Sequence, residues 1–354
     1  MVDTFNNCIT SDELFKDLKD DLALSVTLEI THHCNFRCIH CYGGFERSNK
    51  DLSLKQITGI IDQLYEHGTL DLSLTGGESL TRSDFCEIYE YARNKGMFVS
   101  VLTNAAELKP EHIASFIEYP VSHLSITVYG HSPEVYEQMT GVAGSHEKVM
   151  QAIRQLKEHN IPFELKSVAT KINQHEILAL RQFAEELDVP FRYSTKLVPE
   201  NNGCLDVLEH AITPEEALWF EQHDDKLHEA WERGVANLDL FHEHRNCRRS
   251  CGFRYLCHAG DKDATISASG MLHLCLNERS SGYDLLNGSM QEGYETFIKV
   301  ARDEKAPEGY QCLTCSDIDY CDHCAAEIRL KGNFDFGNEP TCQLAHLRHE
   351  RLGG

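Results

Sequence analysis

The chain has 354 residues, 41% of them hydrophobic, and carries 33 Lys and Arg against 56 Asp and Glu, a formal net charge of −23. That length fits two domains of roughly 100–200 residues, or one domain with a large extension. The charge argues against nucleic acid or an anionic membrane as partner, and no apolar run approaches the roughly 18 residues of a membrane helix.

Residues 1–20 read as a polar, acidic extension without the basic and apolar regions of a secretory signal, so the sequence predicts a cytoplasmic protein. Fifteen cysteines in such a chain do not read as a disulfide framework, and metal or iron–sulfur ligation becomes the leading explanation. A first strand is predicted where Leu24, Val26, Leu28 and Ile30 recur at period two. Directly after it stands CNFRCIHC, with Cys34, Cys38 and Cys41 in a CxxxCxxC spacing. Three thiolates at this spacing can wrap one cluster and leave an iron without a protein ligand. The alternative is a zinc site completed by His32, His33 or His40.

Ser53 caps a predicted helix that runs to about Gly68, with Ile57, Ile60, Ile61 and Leu64 at helical spacing, and LDLSL follows as a strand. It ends in Thr75-Gly76-Gly77-Glu78, where two glycines let a ligand approach the backbone and Glu78 can accept from an ammonium group. The unit then repeats: helix 83–95, strand 97–102, helix 110–117, strand 121–128, helix 145–159, strand 162–169, helix 174–187 and strand 190–195. Strands alternating with helices predict a parallel α/β sheet or barrel with its chemistry at the carboxyl ends of the strands. Six units are too few for the usual eight-stranded barrel, so the sheet is expected to stay open or to be closed by C-terminal material. The α/β period fades between roughly 235 and 246, giving an expected barrel over 21–240 and a cysteine-rich domain over 241–354.

The three-cysteine loop followed one unit later by the GGE turn resembles the radical S-adenosylmethionine (SAM) superfamily, over about residues 21–240. The resemblance implies a partial (β/α)6 barrel in which Cys34, Cys38 and Cys41 hold a [4Fe-4S] cluster whose open iron is chelated by S-adenosylmethionine. It implies that Glu78, with Gly76 and Gly77, holds the cofactor's amino group and that His40 borders the adenine. Thr103 and Asn104 in VLTN, and Ser125 in SITVYG, resemble positions facing the ribose or the substrate. Some relatives place an Arg near the Gly141 turn for the cofactor carboxylate; Thr140 stands there here, and Lys166 is the candidate, against a plain reading as a solvated lysine.

The C-terminal region runs Cys251-x5-Cys257, Gly270-x4-Cys275, Cys312-x2-Cys315-x5-Cys321-x2-Cys324 and Cys342. Alone, it would suit two zinc-ribbon-like sites. After such a barrel it resembles the SPASM extension, which binds auxiliary iron–sulfur clusters, with Asp322-His323 leaving two residues where relatives often have three. The resemblance pairs Cys251, Cys257, Cys275 and Cys324 as the inner set and Cys312, Cys315, Cys321 and Cys342 as the outer one, for three [4Fe-4S] clusters in all. Cys8, Cys86, Cys204 and Cys247 are expected to be no ligands, and His242 and His244 to lie on a solvated linker.

The implied activity is generation of a 5′-deoxyadenosyl radical that abstracts hydrogen from a peptide or protein, as in maturation of ribosomally made peptides by crosslinking, epimerisation or backbone cleavage. In anaerobic sulfatase maturases a carboxylate after the hairpin cysteine is proposed as base, and here Leu276 follows Cys275. A small-molecule or tetrapyrrole-modifying radical enzyme and a non-catalytic zinc- or cluster-binding interaction protein are the alternatives. Only 33 residues precede Cys34, so a leader peptide is expected to need a separate recognition protein or direct capture by the barrel. An electron donor such as ferredoxin or flavodoxin is the other expected partner.

Overall fold

A computed structural model of the chain describes residues 22–43, 51–224, 226 and 238–352, with no side-chain description for 238–242 and 352. The expected extension 1–20 and Cys8 lie outside the described residues, as does the side chain of His242.

Six parallel strands, β1 (Ser25–Thr31), β2 (Asp71–Gly76), β3 (Phe98–Thr103), β4 (His123–Thr127), β5 (Glu164–Val168) and β6 (Phe191–Ser194), form a sheet in sequence order. Between them run α1 (Leu54–His67), α2 (Phe85–Asn94), α3 (Pro110–Glu118), α4 (Pro133–Thr140), α5 (Ser145–Glu158) and α6 (Ile177–Glu186). Each strand alternates. Val26, Leu28, Ile30, Leu72, Leu74, Val99, Val101, Ile126 and Leu165 are fully buried in one continuous core with the helices' apolar residues. The opposite face is largely polar at Glu29, Ser73, Thr75, Ser125, Thr127, Glu164 and Lys166. A barrel whose inner face is polar holds room and donors for a ligand instead of a packed plug.

Helix α1 shows how local sequence sets an element. Ser53 accepts from the Gln56 N–H in a capping box, worth roughly 1 kcal/mol. Ile57, Ile60, Ile61 and Leu64 bury one face, at roughly 1.5–3 kcal/mol per side chain. Gly68 ends the helix in the left-handed region at φ 97°.

Two features depart from expectation. Helix α4 occupies a stretch between strand 121–128 and helix 145–159 to which no element was assigned, although Ser132 at the N-cap, Pro133 at the first turn and a left-handed Gly141 are its start and stop signals. The sheet stays open, one of the two expected outcomes, but the C-terminal region adds strands to its β1 edge, which the sequence did not predict. Strand β7 (Asp263–Ile266) pairs parallel with β1, with Ser25 opposite Asp263 and Leu28 opposite Ile266, and β8 (Met271–His273) and β9 (Tyr283–Asp284) follow antiparallel. The resulting order, β6-β5-β4-β3-β2-β1-β7-β8-β9, makes this an open α/β sheet running through both regions. After α7 (Pro214–His223), helix α8 (Leu238–Ser250) crosses the expected boundary at 240/241. Among the described residues no helix is long and apolar enough to cross a membrane.

Candidate functional site

The loop after β1 carries Cys34, Cys38 and Cys41, and it is fastened from two sides. On one side the Gly77 N–H donates to the Thr31 carbonyl at 2.9 Å and the Glu78 N–H to that of His33 at 2.8 Å. A Cβ on Gly76 would stand 2.4 Å from the Thr31 oxygen, and one on Gly77 would stand 2.1 Å from that of His33. The glycines therefore admit the cysteine loop's own backbone, a contact the sequence reading did not foresee. On the other side the Arg37 N–H donates to the Thr140 carbonyl at 2.8 Å and the Ile39 N–H to that of Met139 at 3.1 Å. Thr140, fully buried, hydrogen-bonds Ser145 at 2.7 Å, so the QMTG turn supports the loop.

Glu78 is 2% exposed, and its carboxylate accepts from the Thr103 hydroxyl at 2.5 Å, the Asn104 N–H at 2.7 Å and the Leu80 N–H at 3.0 Å. It ties the GGE turn to the end of β3. Burial pushes its pKa up against these three donors. Asn104 in turn donates to Asn35 at 2.8 Å, inside the cysteine loop.

These residues surround a cavity of about 290 Å³ at the carboxyl ends of the strands. The structure brings there Cys34, Cys38, Cys41, His40, Gly76, Gly77, Glu78, Thr103, Asn104 and Lys166, all singled out in the sequence. Ser125 is not among them. It pairs with Glu164 across β4 and β5 and donates to its carboxylate at 2.7 Å, whereas Thr127, opposite Lys166, reaches the cavity. The two share a face, but two residues move a side chain about 6.6 Å along a strand, and only the carboxyl end opens on the cavity. Sequence reading also missed Tyr42, Tyr129 and Lys196; Tyr129 follows Thr127 in the same motif and could have been found.

Burial dominates the electrostatics. It raises the thiols of Cys34 and Cys38 to about 11 and about 12, and lowers His40 to about 4. His40 packs on Tyr129 at 4.8 Å between ring centres, and its buried Nδ1 has no hydrogen-bond partner among the described residues. Lys166 is lowered to about 8 by burial and then by Arg192, with Glu164 and Glu78 opposing.

In the C-terminal region Cys312, Cys315, Cys321 and Cys342 line one cavity of about 730 Å³. Cys257, Cys275 and Cys324 approach one another elsewhere: burial lifts the Cys275 thiol to about 12, with Cys324 and Cys257 adding to the rise. Cys251 is exposed at the end of α8, its carbonyl accepting from Lys305 at 2.7 Å. Four thiolates about 2.3 Å from a zinc stand about 3.8 Å apart. Among the described residues the one such group with ligand atoms within 4.8 Å of one another is His244, His258 and Asp261, and it contains no cysteine. Among the described residues no cysteine set brings three sulfurs within 4.8 Å of one another. Cys86 packs against the core, Cys204 is half-buried and Cys247 is exposed. His244 is not on a solvated linker: it is half-buried and stacks on His258 at 3.9 Å, because α8 continues through the stretch read as linker.

Residues 28–184 match the family model of the Radical SAM superfamily. The chain carries a radical SAM domain. It is 31% identical over 180 residues to the AdoMet-dependent heme synthase of Methanosarcina barkeri, covering 50% of this chain and 52% of that protein, about half its length. It is 25% identical over 337 residues to the mycofactocin maturase MftC of Mycolicibacterium smegmatis, covering 91% of this chain and 83% of that one. Streptococcus suis SuiB, solved with its precursor peptide SuiA, shares the fold with a TM-score of 0.67 at 15% identity over 91% of this chain and 74% of that one.

A radical SAM domain implies a four-iron four-sulfur cluster with S-adenosylmethionine. The residues present fit them: three thiols on one cavity wall, an imidazole nitrogen beside them without a hydrogen-bond partner among the described residues, and a polar floor of Thr103, Asn104 and Thr127.

Proposed function

We propose that this chain is a radical SAM maturase that abstracts hydrogen from a peptide substrate. The observation that carries the reading is the convergence of the three-cysteine loop, the GGE turn and Lys166 on one cavity, in a chain whose sheet continues into a cysteine-rich region. MftC, similar over nearly the whole chain, and SuiB, similar in fold and solved with a peptide, support the substrate class.

When bound, the cluster and S-adenosylmethionine supply a carbon-centred radical; the protein contributes position and exclusion of water. Cys34, Cys38 and Cys41 hold the cluster. Glu78 has spent three of the roughly four acceptor sites of a carboxylate and keeps one for the cofactor's ammonium. Lys166, without an ion pair to a described residue, meets the cofactor carboxylate, His40 borders the adenine, and Thr103, Asn104 and Thr127 face the ribose or substrate. Cys312, Cys315, Cys321 and Cys342 hold an outer auxiliary cluster; Cys257, Cys275 and Cys324, with Cys251, hold an inner one. A ferredoxin or flavodoxin supplies electrons, and the leader is presented by a separate protein or captured directly by the barrel.

A second reading, modification of a tetrapyrrole or another small molecule, is favoured by the 31% identity to the heme synthase. Anaerobically reconstituted protein separates the readings and tests both. Changing Cys34, Cys38 and Cys41 together to Ala is expected to abolish reductive cleavage of S-adenosylmethionine and to remove about four irons. Cys275→Ala is expected to retain that cleavage and lose product. Cleavage unimpaired in the triple variant would sink both readings, and turnover of a tetrapyrrole with no turnover of candidate precursor peptides would replace the first by the second.

A further inference from the structure

Lys196 follows β6 and lines the cavity beside Val168, Leu197 and Val198. Its ammonium is already engaged, and not by the barrel. It lies 2.6 Å from Oε2 of Glu327 and donates to the Asp322 carbonyl at 2.8 Å. Asp322 stands between Cys321 and Cys324, one cysteine from each auxiliary set, and Glu327 lies in the first turn of the helix Ala325–Lys331 that begins directly after Cys324.

The contacts continue outward. The other Glu327 oxygen lies 3.2 Å from Nζ of Lys331, which pairs with Glu339 at 2.7 Å. Glu339 stands three residues before Cys342. Four alternating charges thus run from the cavity wall, past the Cys321–Cys324 turn, to the approach of Cys342. The interior members are nearly dry, with the side chains of Glu327 and Lys331 4% and 9% exposed. Buried charges act on their neighbours far more strongly than solvated ones.

We propose that Lys196 is a positioning residue that couples the cavity to the auxiliary cysteine sets. It holds the Cys321–Cys324 turn against the cavity wall, and its fixed positive charge favours the reduced state of the groups held there. The proposal rests on the reading that these cysteines carry iron–sulfur clusters. The sign follows from electrostatics: a reduced cluster carries one more negative charge, which a nearby cation stabilises and a nearby carboxylate opposes. Lys196 and Glu327 therefore act in opposite directions. A ligand entering the cavity meets Lys196 on its wall, so cofactor or substrate can alter this charge's placement without touching a cysteine.

The test is an electron paramagnetic resonance-monitored redox titration of anaerobically reconstituted wild type, Lys196→Met, Lys196→Arg and Glu327→Gln, with iron and sulfide content measured on each. Lys196→Met leaves Glu327 paired with Lys331 and is expected to fold. At the wild-type auxiliary midpoint, the ratio of reduced to oxidised cluster is expected to fall about tenfold in Lys196→Met, about 59 mV for one electron. It is expected to rise in Glu327→Gln and to stay near wild type in Lys196→Arg, with the three-cysteine cluster unmoved. Shifts of the same sign in Lys196→Met and Glu327→Gln would show mere loosening of the turn and overturn the proposal. Full iron content with no shift would overturn it alone, whereas wild type holding only about four irons would overturn the auxiliary-cluster reading and the proposal with it. Should Lys196→Met fail to assemble, the sign in Glu327→Gln against Lys196→Arg decides.

Discussion

Lys166 reaches the cavity from the middle of β5, opposite Thr127, and burial brings its ammonium down to about 8 from an ordinary 10.5. A lysine so lowered is charged below about pH 8 and neutral above it, while the unfolded chain keeps its proton to about 10.5. The fold therefore bears the desolvation cost of the charge at neutral pH and is relieved of it as pH rises from about 8 towards 10.5. Binding has the opposite slope, since only the charged form attracts a carboxylate. Affinity for S-adenosylmethionine is expected to fall above pH 8 and to be about tenfold weaker at the limit of one unit beyond the transition, by anaerobic equilibrium binding. Lys166→Met is expected to bind more weakly at pH 7 and to lack the Lys166 contribution to the slope. The cofactor's own amino group titrates in both proteins, so the difference between the two profiles isolates the lysine. Identical profiles would remove Lys166 from the carboxylate role.

At the scale of elements, the GGE turn and the cysteine loop are one construction. Gly77 has no space for a Cβ, which would stand 2.1 Å from backbone at His33, so Gly77→Ala must push the turn from the loop. The expected cost exceeds roughly 1 kcal/mol, the most that a compatible Gly→Ala change gains, and the first cluster is expected to be lost before the auxiliary ones. Iron content and the denaturant midpoint of the reconstituted variant check this; a wild-type iron content would show that the loop accommodates the methyl group. This construction was legible as a motif but not as a contact, because Gly77 and His33 are 44 residues apart and only the pairing of β1 with β2 joins them. The six strands and most helices were legible because their apolar periods are local. Helix α4 was overlooked in spite of its local start and stop signals. Ser125 illustrates a different limit: the motif identified the right face of the right strand, but which residue reaches its carboxyl end depends on register with β5. Lys196 had no sequence signal, since its partners Asp322 and Glu327 lie more than a hundred residues away.

The molecule as a whole is joined at β1, which pairs with β2 on one side and β7 on the other. The cysteine-rich region thus continues the open sheet from β1, and the join is reinforced by ions. Arg279, just after the Cys275 turn, grips Glu29 of β1 with two hydrogen bonds of 2.9 and 2.6 Å while its Nε donates to the Leu276 carbonyl. Both side chains are about seven-eighths buried, at 13% and 12% exposed. A pair this dry is worth little against apolar replacements of similar volume, but breaking it strands a charge at a cost of about 3–5 kcal/mol. Arg279→Met is therefore expected to lower stability by that order, and Arg279→Met with Glu29→Met to recover most of the loss. In anaerobic urea unfolding the transition is expected to remain single in each variant, because the shared sheet leaves the two regions no separate edge along which to part. A double variant as damaged as the single one would show that Glu29 does not carry the penalty. A split transition would show that the β1–β7 pairing does not bind the regions into one cooperative unit.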